Sequence, residues 1–293
     1  MIHHLNALYV TEKLREPLQD SGDDLQFAAL ESNLAEYANN VVTWHWHDFF
    51  EFCYVTEGIV ESCTPMGVIR MEPGDGCFIN ANVLHTQRMG DKKGTIRVIQ
   101  FTPSLLIGGS GTIYRKYIGP VEKCGKLEIK RIRIDVIEEL KRIYCLAENE
   151  PVGYEMIIME GLYRLWVKLY EDVEPFVNNN PGSVDIHADK VKTMLTFIHN
   201  GYSGNMTVAD IAASASISQR EAYRAFKQVL GTTPILYLQN HRLNNVARML
   251  VETDMSVTEI SMACGFSSSA YMWKVFKDSN GMSPREFRRA RQR

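Results

Sequence analysis

Four side chains that could coordinate a metal ion or hold a polar ligand lie close together in the first third of the chain. His45, His47 and Glu51 form the pattern His-x-His-x3-Glu, and His85 follows further on. Imidazole nitrogens and carboxylate oxygens coordinate divalent metals, and they also bind the polar groups of small molecules. Because His45 and His47 are two positions apart, an extended chain turns both to one face. The pattern therefore predicts a single site for either kind of ligand.

Tryptophans alternate with the two histidines, in the order Trp44-His45-Trp46-His47. The apolar face of a sugar ring stacks on aromatic rings, whereas its hydroxyl groups need polar partners. We therefore expect a pocket for a small effector, with a sugar or sugar derivative as the leading class. The predicted effector-binding residues are Trp44, His45, His47, Glu51 and His85. The alternative is a divalent metal ion held by His45, His47, Glu51 and His85, although no cofactor is expected to be required.

The segment around these residues consists of short apolar runs separated by turn-forming residues. Runs rich in β-branched and aromatic residues predict strands at 49–55, 59–64, 68–71, 76–79 and 95–101. Gly58 and the stretches 65–67, 73–75 and 91–94 are predicted to separate them. Five strands at this spacing favour a small antiparallel barrel or jelly roll.

The same segment resembles a cupin. The first cupin motif is matched in full over residues 45–58. The second is matched only in part, since Gly74 and His85 are in place but Asn80 and Asn82 stand where Pro and Gly are usual. In metal-binding cupins the three histidines and the glutamate converge on one divalent ion. The resemblance thus implies a barrel whose interior binds either an effector or a metal.

The last third of the chain contains one pattern twice. Val208, Ile211, Ala212, Ala215, Ile217 and Ser218 recur 49 positions later as Val257, Ile260, Ser261, Cys264, Phe266 and Ser267. The continuation from Phe226 to Pro234 recurs 50 positions later, so the second copy has one extra residue after its turn. Apolar residues at helical spacing, a turn of small residues and a serine N-cap predict a helix-turn-helix in each copy.

The second helix of each copy is predicted to present an exposed polar face. Such helices enter the major groove of double-stranded DNA, where arginine can bind guanine in bidentate fashion. The predicted base contacts are Gln219, Arg220, Arg224, Ser269, Ala270, Tyr271 and Lys274. The predicted phosphate contacts are Ser218, Lys227, Ser267 and Lys277, with Ser218 and Ser267 also predicted as helix N-caps.

Residues 187–293 resemble the DNA-binding domain of the AraC/XylS family of bacterial transcription regulators. The family pattern Ser-x-Arg-x-x-x-Arg-x-Phe-Lys is matched by Ser218, Arg220, Arg224, Phe226 and Lys227. The closing stretch of the family is matched at 265–267, 276–277, 281–284 and 287–288. Two departures are Ser216, at a turn position often given to Gly, and Ala270, a poor base reader. We therefore expect the second unit to position the protein more than it discriminates between bases.

The resemblance implies a transcription regulator and not an enzyme. Family members often combine a cupin-like effector sensor with this DNA-binding domain, form homodimers, and contact RNA polymerase when they are activators. We expect the same here. Two alternatives stay open: a metal-dependent cupin enzyme fused to a DNA-binding module, and a constitutive DNA-binding protein whose barrel is only structural.

The expected organisation is an α+β chain. An N-terminal arm (1–25) precedes the cupin-like barrel (26–105), which is followed by a helical dimerisation segment (106–172). Within this segment, residues 132–172 show two apolar stripes at helical spacing, which either pair two subunits or cover the barrel. A polar linker (173–186) leads to the all-α domain (187–293), whose two helix-turn-helix units are joined by a helix over 235–251, about 25 Å long.

Charge, cysteine and hydropathy patterns constrain the partners further. Residues 185–293 contain 14 Lys and Arg against 9 Asp and Glu, whereas the whole chain has a net charge of −3. The basic end is expected to contact phosphates. The chain has neither a run of 18 apolar residues nor a signal-like start, so we expect a cytoplasmic protein with no membrane partner. The six cysteines lack CxxC spacing and are expected to be reduced, with a redox switch as the alternative.

Overall fold

The division of the chain into a sheet-containing part and a helical part is confirmed. The computed structural model describes residues 2–5, 15–18, 25–37, 40–107, 111–182 and 186–291. The chain forms two compact units: the first ends at Ile186, and the second begins at His187. Among the described helices, none is both long and apolar enough to cross a membrane.

The first unit is built on one mainly antiparallel sheet, which has seven strands in the described part of the chain. The strands are β1 (Ile2–Leu5), β2 (Phe27–Asn33), β3 (Phe50–Thr64), β4 (Gly67–Met71), β5 (Gly76–Ile79), β6 (Thr86–Phe101) and β7 (Ile129–Arg131). Their order is β1-β2-β6-β3-β5-β7, and β4 also pairs with β3. Strand β3 is central because it pairs with β4, β5 and β6.

Strands β3 and β6 continue through two of the predicted breaks. The register between them shifts on either side of Gly58, which lies within β3. Gly58 has a φ of 70°, and a Cβ added there would lie 2.1 Å from the carbonyl oxygen of Lys93. The predictions of a break at Gly58 and at 91–94 are therefore wrong. Gly58 forms a β-bulge, where a left-handed backbone and a close approach both require glycine.

Helices follow the sheet in the first unit. They are α1 (Gly111–Ile113), a π-helical turn (Tyr114–Ile118), α2 (Gly119–Glu122), α3 (Ile134–Asn149) and α4 (Tyr154–Asn179). Strand β7 lies within the segment predicted as helical (106–172), just before residues 132–172, where the helical periodicity was found. Helix α4 also reaches into the predicted linker (173–186), because Val173 and Val177 are buried and extend its apolar stripe.

The two faces of β3 have different neighbours. Phe50, Phe52 and Tyr54 belong to the cluster that includes Leu140 and Trp166 of α3 and α4. The alternate residues Cys53 and Val55 belong to a second cluster with Ile79 and Val98. Successive side chains of a strand point to opposite faces, so Glu51 shares the second face, which is the interior of the barrel.

Part of the predicted N-terminal arm (1–25) is paired with the barrel. Strand β1 runs parallel to β2, with Ile2 opposite Ala29. Further along, the backbone N–H of Glu16 donates to the carbonyl oxygen of Trp46 at 3.0 Å. Other stretches of the arm lie outside the described residues.

The second unit is all helical. Its helices are α5 (Ile186–Gly201), α6 (Val208–Ser214), α7 (Gln219–Leu230), α8 (Pro234–Glu252), α9 (Val257–Ala263), α10 (Ser269–Asn280) and α11 (Pro284–Arg291). The pairs α6–α7 and α9–α10 are the two predicted helix-turn-helix units, and α8 is the predicted joining helix. Each repeat of the sequence pattern therefore corresponds to one repeat of structure.

The turns of the two helix-turn-helix units each contain a residue with a left-handed backbone conformation, at equivalent positions. Ser216 has a φ of 54° and Gly265 a φ of 78°. A Cβ at Gly265 would lie 2.5 Å from the carbonyl oxygen of Tyr202, so only the second unit strictly requires glycine here. This explains how the first unit accommodates serine at a position often given to glycine.

The N-caps of α7 and α10, the second helices of the two helix-turn-helix units, are 50 positions apart and not 49. Ser218 caps α7 as predicted and accepts from the backbone N–H of Glu221. The prediction that Ser267 caps α10 is wrong, since Ser268 is the cap and accepts from the N–H of Tyr271. The extra residue of the second copy lies before this helix, which moves the cap along by one residue.

Candidate functional site

The side chains of His45, His47, Glu51 and His85 meet inside the barrel. His45 and His85 are paired across two antiparallel segments, each N–H donating to the other's carbonyl oxygen at 3.0 and 2.9 Å. Their ring centroids lie 4.1 Å apart, and the ring of His47 lies 4.8 Å from that of His85. Glu51 Oε2 lies 3.4 Å from His47 Nε2. All four residues are at most 3% exposed, so they form one buried cluster.

Backbone carbonyl groups orient all three imidazole rings. In each ring Nδ1 lies 2.8–2.9 Å from a carbonyl oxygen, that of Thr43, Phe49 or Val83. A carbonyl oxygen can only accept, so each Nδ1 carries a proton, and Nε2 is the ring nitrogen that remains available to coordinate a metal. One ring nitrogen of each histidine lies within 4.8 Å of those of the other two. The cluster thus presents three nitrogen donors to one small space.

Two glutamine side chains hold Glu51 in place. Gln87 donates to its Oε1 and Gln100 to its Oε2, both at 2.9 Å. Gln100 lies directly opposite Glu51 in the pairing of β3 with β6. Neither glutamine was predicted from the sequence, although Gln100 is a polar residue within the predicted strand 95–101.

A second carboxyl group reaches the cluster from the N-terminal segment. Glu16 is 1% exposed, and its Oε2 lies 3.5 Å from His45 Nε2. The same oxygen accepts from Gln100 Nε2 at 3.3 Å. Glu16 was not predicted from the sequence, because residues 1–25 have no periodicity that would mark a buried position.

The surroundings shift the ionisation of the cluster in opposite directions. Burial and the charge of Glu51 raise the pKa of Glu16 well above its usual value. Burial, together with the neighbouring histidines, lowers the pKa of His45 well below its usual value. Burial would also raise the pKa of Glu51, but His47, His85 and Gln100 outweigh it and hold that pKa well below normal. Of the two buried carboxyl groups, Glu51 is therefore the one whose charged form the surroundings favour.

The donor set and its spacing fit a divalent cation. Ligand atoms about 2.1 Å from a metal lie about 3.0–4.2 Å from one another. The separations of 3.4 Å for His47–Glu51 and 3.5 Å for His45–Glu16 fall in this range. Metal-binding histidines usually donate their other ring N–H to a carbonyl or carboxylate, as all three do here. Trp44, the remaining residue of the predicted pocket, is only partly buried.

A separate candidate site is the exposed face of α7. Ala222, Phe226 and Val229 are buried, whereas Gln219, Arg220, Glu221, Arg224 and Lys227 are exposed. Among the described residues, neither Arg220 nor Arg224 takes part in an ion pair. The capping box of Ser218 fixes the N-terminus of this helix. The face therefore presents two guanidinium groups one helical turn apart.

The equivalent face of α10 is more aromatic. Ser269, Ala270, Tyr271 and Lys274 are exposed, as are Ser267 and Lys277 near the two ends of the helix. Trp273, which sequence analysis did not single out, is 42% exposed, and the Lys277 ammonium lies 5.2 Å from its ring centroid. The exposed face of α7 thus presents two guanidinium groups, whereas the equivalent face of α10 presents aromatic rings and lysines.

Comparisons with known proteins assign a domain type to the regions that contain these two sites. Residues 27–124 match the model of an AraC-like ligand-binding domain, and residues 211–290 match that of a helix-turn-helix domain. The HTH-type transcriptional regulator YdeC of Bacillus subtilis is 26% identical over 96% of this chain and 97% of its own length. The HTH-type transcriptional activator RhaS of Yersinia pestis is 25% identical over 83% of this chain and 88% of its own. The structure of a regulator with an AraC-type DNA-binding domain from Chromobacterium violaceum is 32% identical over 35% of this chain and 92% of its own, with a TM-score of 0.34.

Proposed function

Because the chain belongs to the AraC/XylS family of transcription regulators, we propose that a small effector bound in its barrel controls how its two helix-turn-helix units bind DNA. The observation that carries this proposal is the presence of a ligand-binding domain and a helix-turn-helix domain in one chain. The relatives are named as transcription regulators and activators, so the chain is a regulator and not an enzyme. RNA polymerase is a further partner if the regulator is an activator.

For DNA, we propose that α7 lies in the major groove. Its Gln219, Arg220 and Arg224 contact bases, while Ser218 and Lys227 contact phosphates; their exposure supports these roles. The second helix-turn-helix unit contacts bases through Ser269, Ala270, Tyr271 and Lys274. It contacts phosphates through Ser267 and Lys277. Helix α8 between the units is about 28 Å long at about 1.5 Å per residue. This length is close to the roughly 34 Å between successive major grooves on one face of DNA.

For the effector, we propose a small polar molecule, with a sugar or sugar derivative as the first class to test. The hydrogen-bonding groups of His45, His47, Glu51 and His85 support a polyhydroxylated ligand, and the partly exposed Trp44 offers a ring for stacking. The polar groups of the cluster already contact one another. A sugar would therefore have to separate them or bind beside them.

One observation favours a divalent metal ion as the second candidate ligand. One ring nitrogen of each of the three histidines lies within 4.8 Å of those of the other two, so a small contraction would bring all three to the separations found around one metal ion. His45, His47, Glu51 and His85 would hold such an ion. When bound, it would supply a fixed positive charge that links the strands carrying its ligands.

The test is a thermal-shift screen of the full chain against sugars and divalent metals, followed by footprinting with each ligand that stabilises it. We expect a stabilising ligand to change the affinity or extent of the footprint, because a ligand that binds the native state raises its stability. Glu51→Gln should abolish the response, whereas the control Glu61→Gln, on the same strand outside the cluster, should retain it. Normal DNA binding with no stabilising ligand would instead indicate a purely structural barrel.

We also expect a homodimer formed through α4. Met156, Tyr163 and Val167 lie on one face of this helix at helical spacing and are 79%, 37% and 57% exposed. An exposed apolar stripe of this kind usually marks an interface. Light scattering should give twice the chain mass of 33.4 kDa, and Val167→Asp should give the monomer. The exposed Glu174→Ala is the matched control; a monomeric wild type at micromolar concentration, with or without DNA, would refute the dimer.

A further inference from the structure

We propose that Glu16 is a ligand of a divalent metal ion bound by His45, His47, His85 and Glu51, so that metal binding fixes residues 15–18 against the barrel. This inference rests on the proposed sensor role of the barrel. It goes further by naming the ligand class and the chain segment whose attachment the ligand controls. It also adds a carboxylate from outside the cupin-like motifs.

The position of Glu16 meets the geometric requirement for a shared ligand. Its Oε2 lies 3.5 Å from His45 Nε2. A carboxylate oxygen of Glu16 also lies within 4.8 Å of donor atoms of both His47 and Glu51. Glu16 therefore borders both the imidazole side and the carboxylate side of the cluster. The five residues form two overlapping groups that share His47, one of the three imidazoles and one of Glu16, His47 and Glu51, and the donor atoms of each group lie within 4.8 Å of one another. Nitrogen and carboxylate donors of this kind suit a divalent first-row transition metal.

The hydrogen bonding of Glu16 is incomplete in a way that a cation would satisfy. Its Oε1 is buried and, within the described part of the chain, has no hydrogen-bond partner; the same is true of His47 Nε2. Gln100 donates to Glu16 Oε2 and to Glu51 Oε2. These hydrogen bonds orient both carboxyl groups, as outer-shell groups do for the ligands of metal sites. A buried oxygen without a donor is costly, and direct coordination removes that cost.

Apart from the Glu16 carboxyl group, residues 15–18 contact the barrel through Leu18, which packs against the cluster that includes Cys53 and Val98, and through polar contacts of Arg15 and Glu16. The N–H of Glu16 donates to the carbonyl oxygen of Trp46 at 3.0 Å. Arg15 pairs with Asp48, but their side chains are 47% and 49% exposed, so solvent screens this pair. Trp46 lies between His45 and His47 in sequence, and its isolated β-bridge with Arg15 places residues 15–18 beside the stretch of chain that carries these two histidines. The buried carboxylate is therefore the attachment that a metal can strengthen.

The test is a Co2+ titration of the full-length protein after treatment with a chelator, with no DNA present. We expect wild type to bind one Co2+ per chain and Glu16→Gln to weaken that affinity by about 10- to 100-fold. The visible absorption of the bound Co2+ should change as well, because its coordination changes. Glu16→Asp, which keeps a carboxylate, should recover part of the affinity. Asp48→Asn removes the neighbouring ion pair alone and should leave the affinity within about threefold.

Limited trypsin digestion gives a second readout. Co2+ should slow cleavage after Arg15 in wild type and in Asp48→Asn, but not in Glu16→Gln. Equal Co2+ affinity for wild type and Glu16→Gln, equal protection, or no Co2+ binding by wild type would each overturn the inference. None of these outcomes bears on regulation of DNA binding, which the footprinting experiment tests separately.

Discussion

Replacing Phe226 with alanine is expected to destabilise the DNA-binding unit by about 3–5 kcal/mol. The ring is fully buried and packs with its centroid 6.0 Å from that of Tyr237. Tyr237 in turn shares a hydrogen bond of 2.9 Å with His199 Nε2, so Phe226 links α7 to α8 and, through Tyr237, to α5. Domains of this size are stable by only about 5–15 kcal/mol. The loss should therefore leave the unit marginally folded and abolish specific DNA binding.

Hydrogen exchange measured by mass spectrometry checks this locally, because amides of α7 should lose protection while those of β3 keep it. Tyr223→Ala is the matched control, since Tyr223 lies on the same helix but is 42% exposed. It should change stability by no more than about 0.5 kcal/mol. Unchanged protection of α7 in Phe226→Ala would show that the helix does not depend on this contact.

Arg224→Ala is expected to reduce discrimination between the preferred DNA site and random DNA by about 1–3 kcal/mol. The guanidinium is exposed on α7 and stands one turn beyond Arg220, where it can bind guanine O6 and N7 together. Because the helix is capped and packed through its opposite face, the substitution should leave the fold intact. Competition binding against specific and random duplexes measures the ratio directly.

Lys227→Ala provides the contrast. A phosphate contact carries no sequence information, so this variant should weaken binding to all sequences and reduce the salt slope by about one. If Arg224→Ala weakened binding to specific and random DNA equally, its assignment as a base contact would be wrong.

The helix-turn-helix units could be predicted closely because their signals are local. Apolar spacing, a turn and a serine cap occupy some twenty consecutive residues, and α7 begins directly after its predicted cap, Ser218. The error at α10, where Ser268 and not Ser267 is the cap, came from carrying the offset of the first helix across the extra residue. The extent of α4 was less predictable, since Asn and Pro near its end resemble a linker. Burial of Val173 and Val177 extends the apolar face of the helix into that stretch.

In the barrel, too, some residues could be predicted from a local motif, whereas the roles of others depend on strand pairing. His45, His47 and Glu51 were recognisable because they lie within one short motif. Gly58 was recognised as special, but whether it marks a turn or a bulge depends on how β3 pairs with β6. A strand pattern does not determine its partner or register, which are set by contacts between distant segments.

By itself, the sequence determined that the chain has two DNA-binding helical repeats and a histidine-containing barrel, because periodicity, caps and motif spacing act between near neighbours. Only the tertiary structure decided which polar groups share the interior of that barrel. Glu16 and Gln100 are 84 positions apart, and no local pattern links them. They meet because pairing of the strands removes both from water, and a buried polar group must then find its partners there.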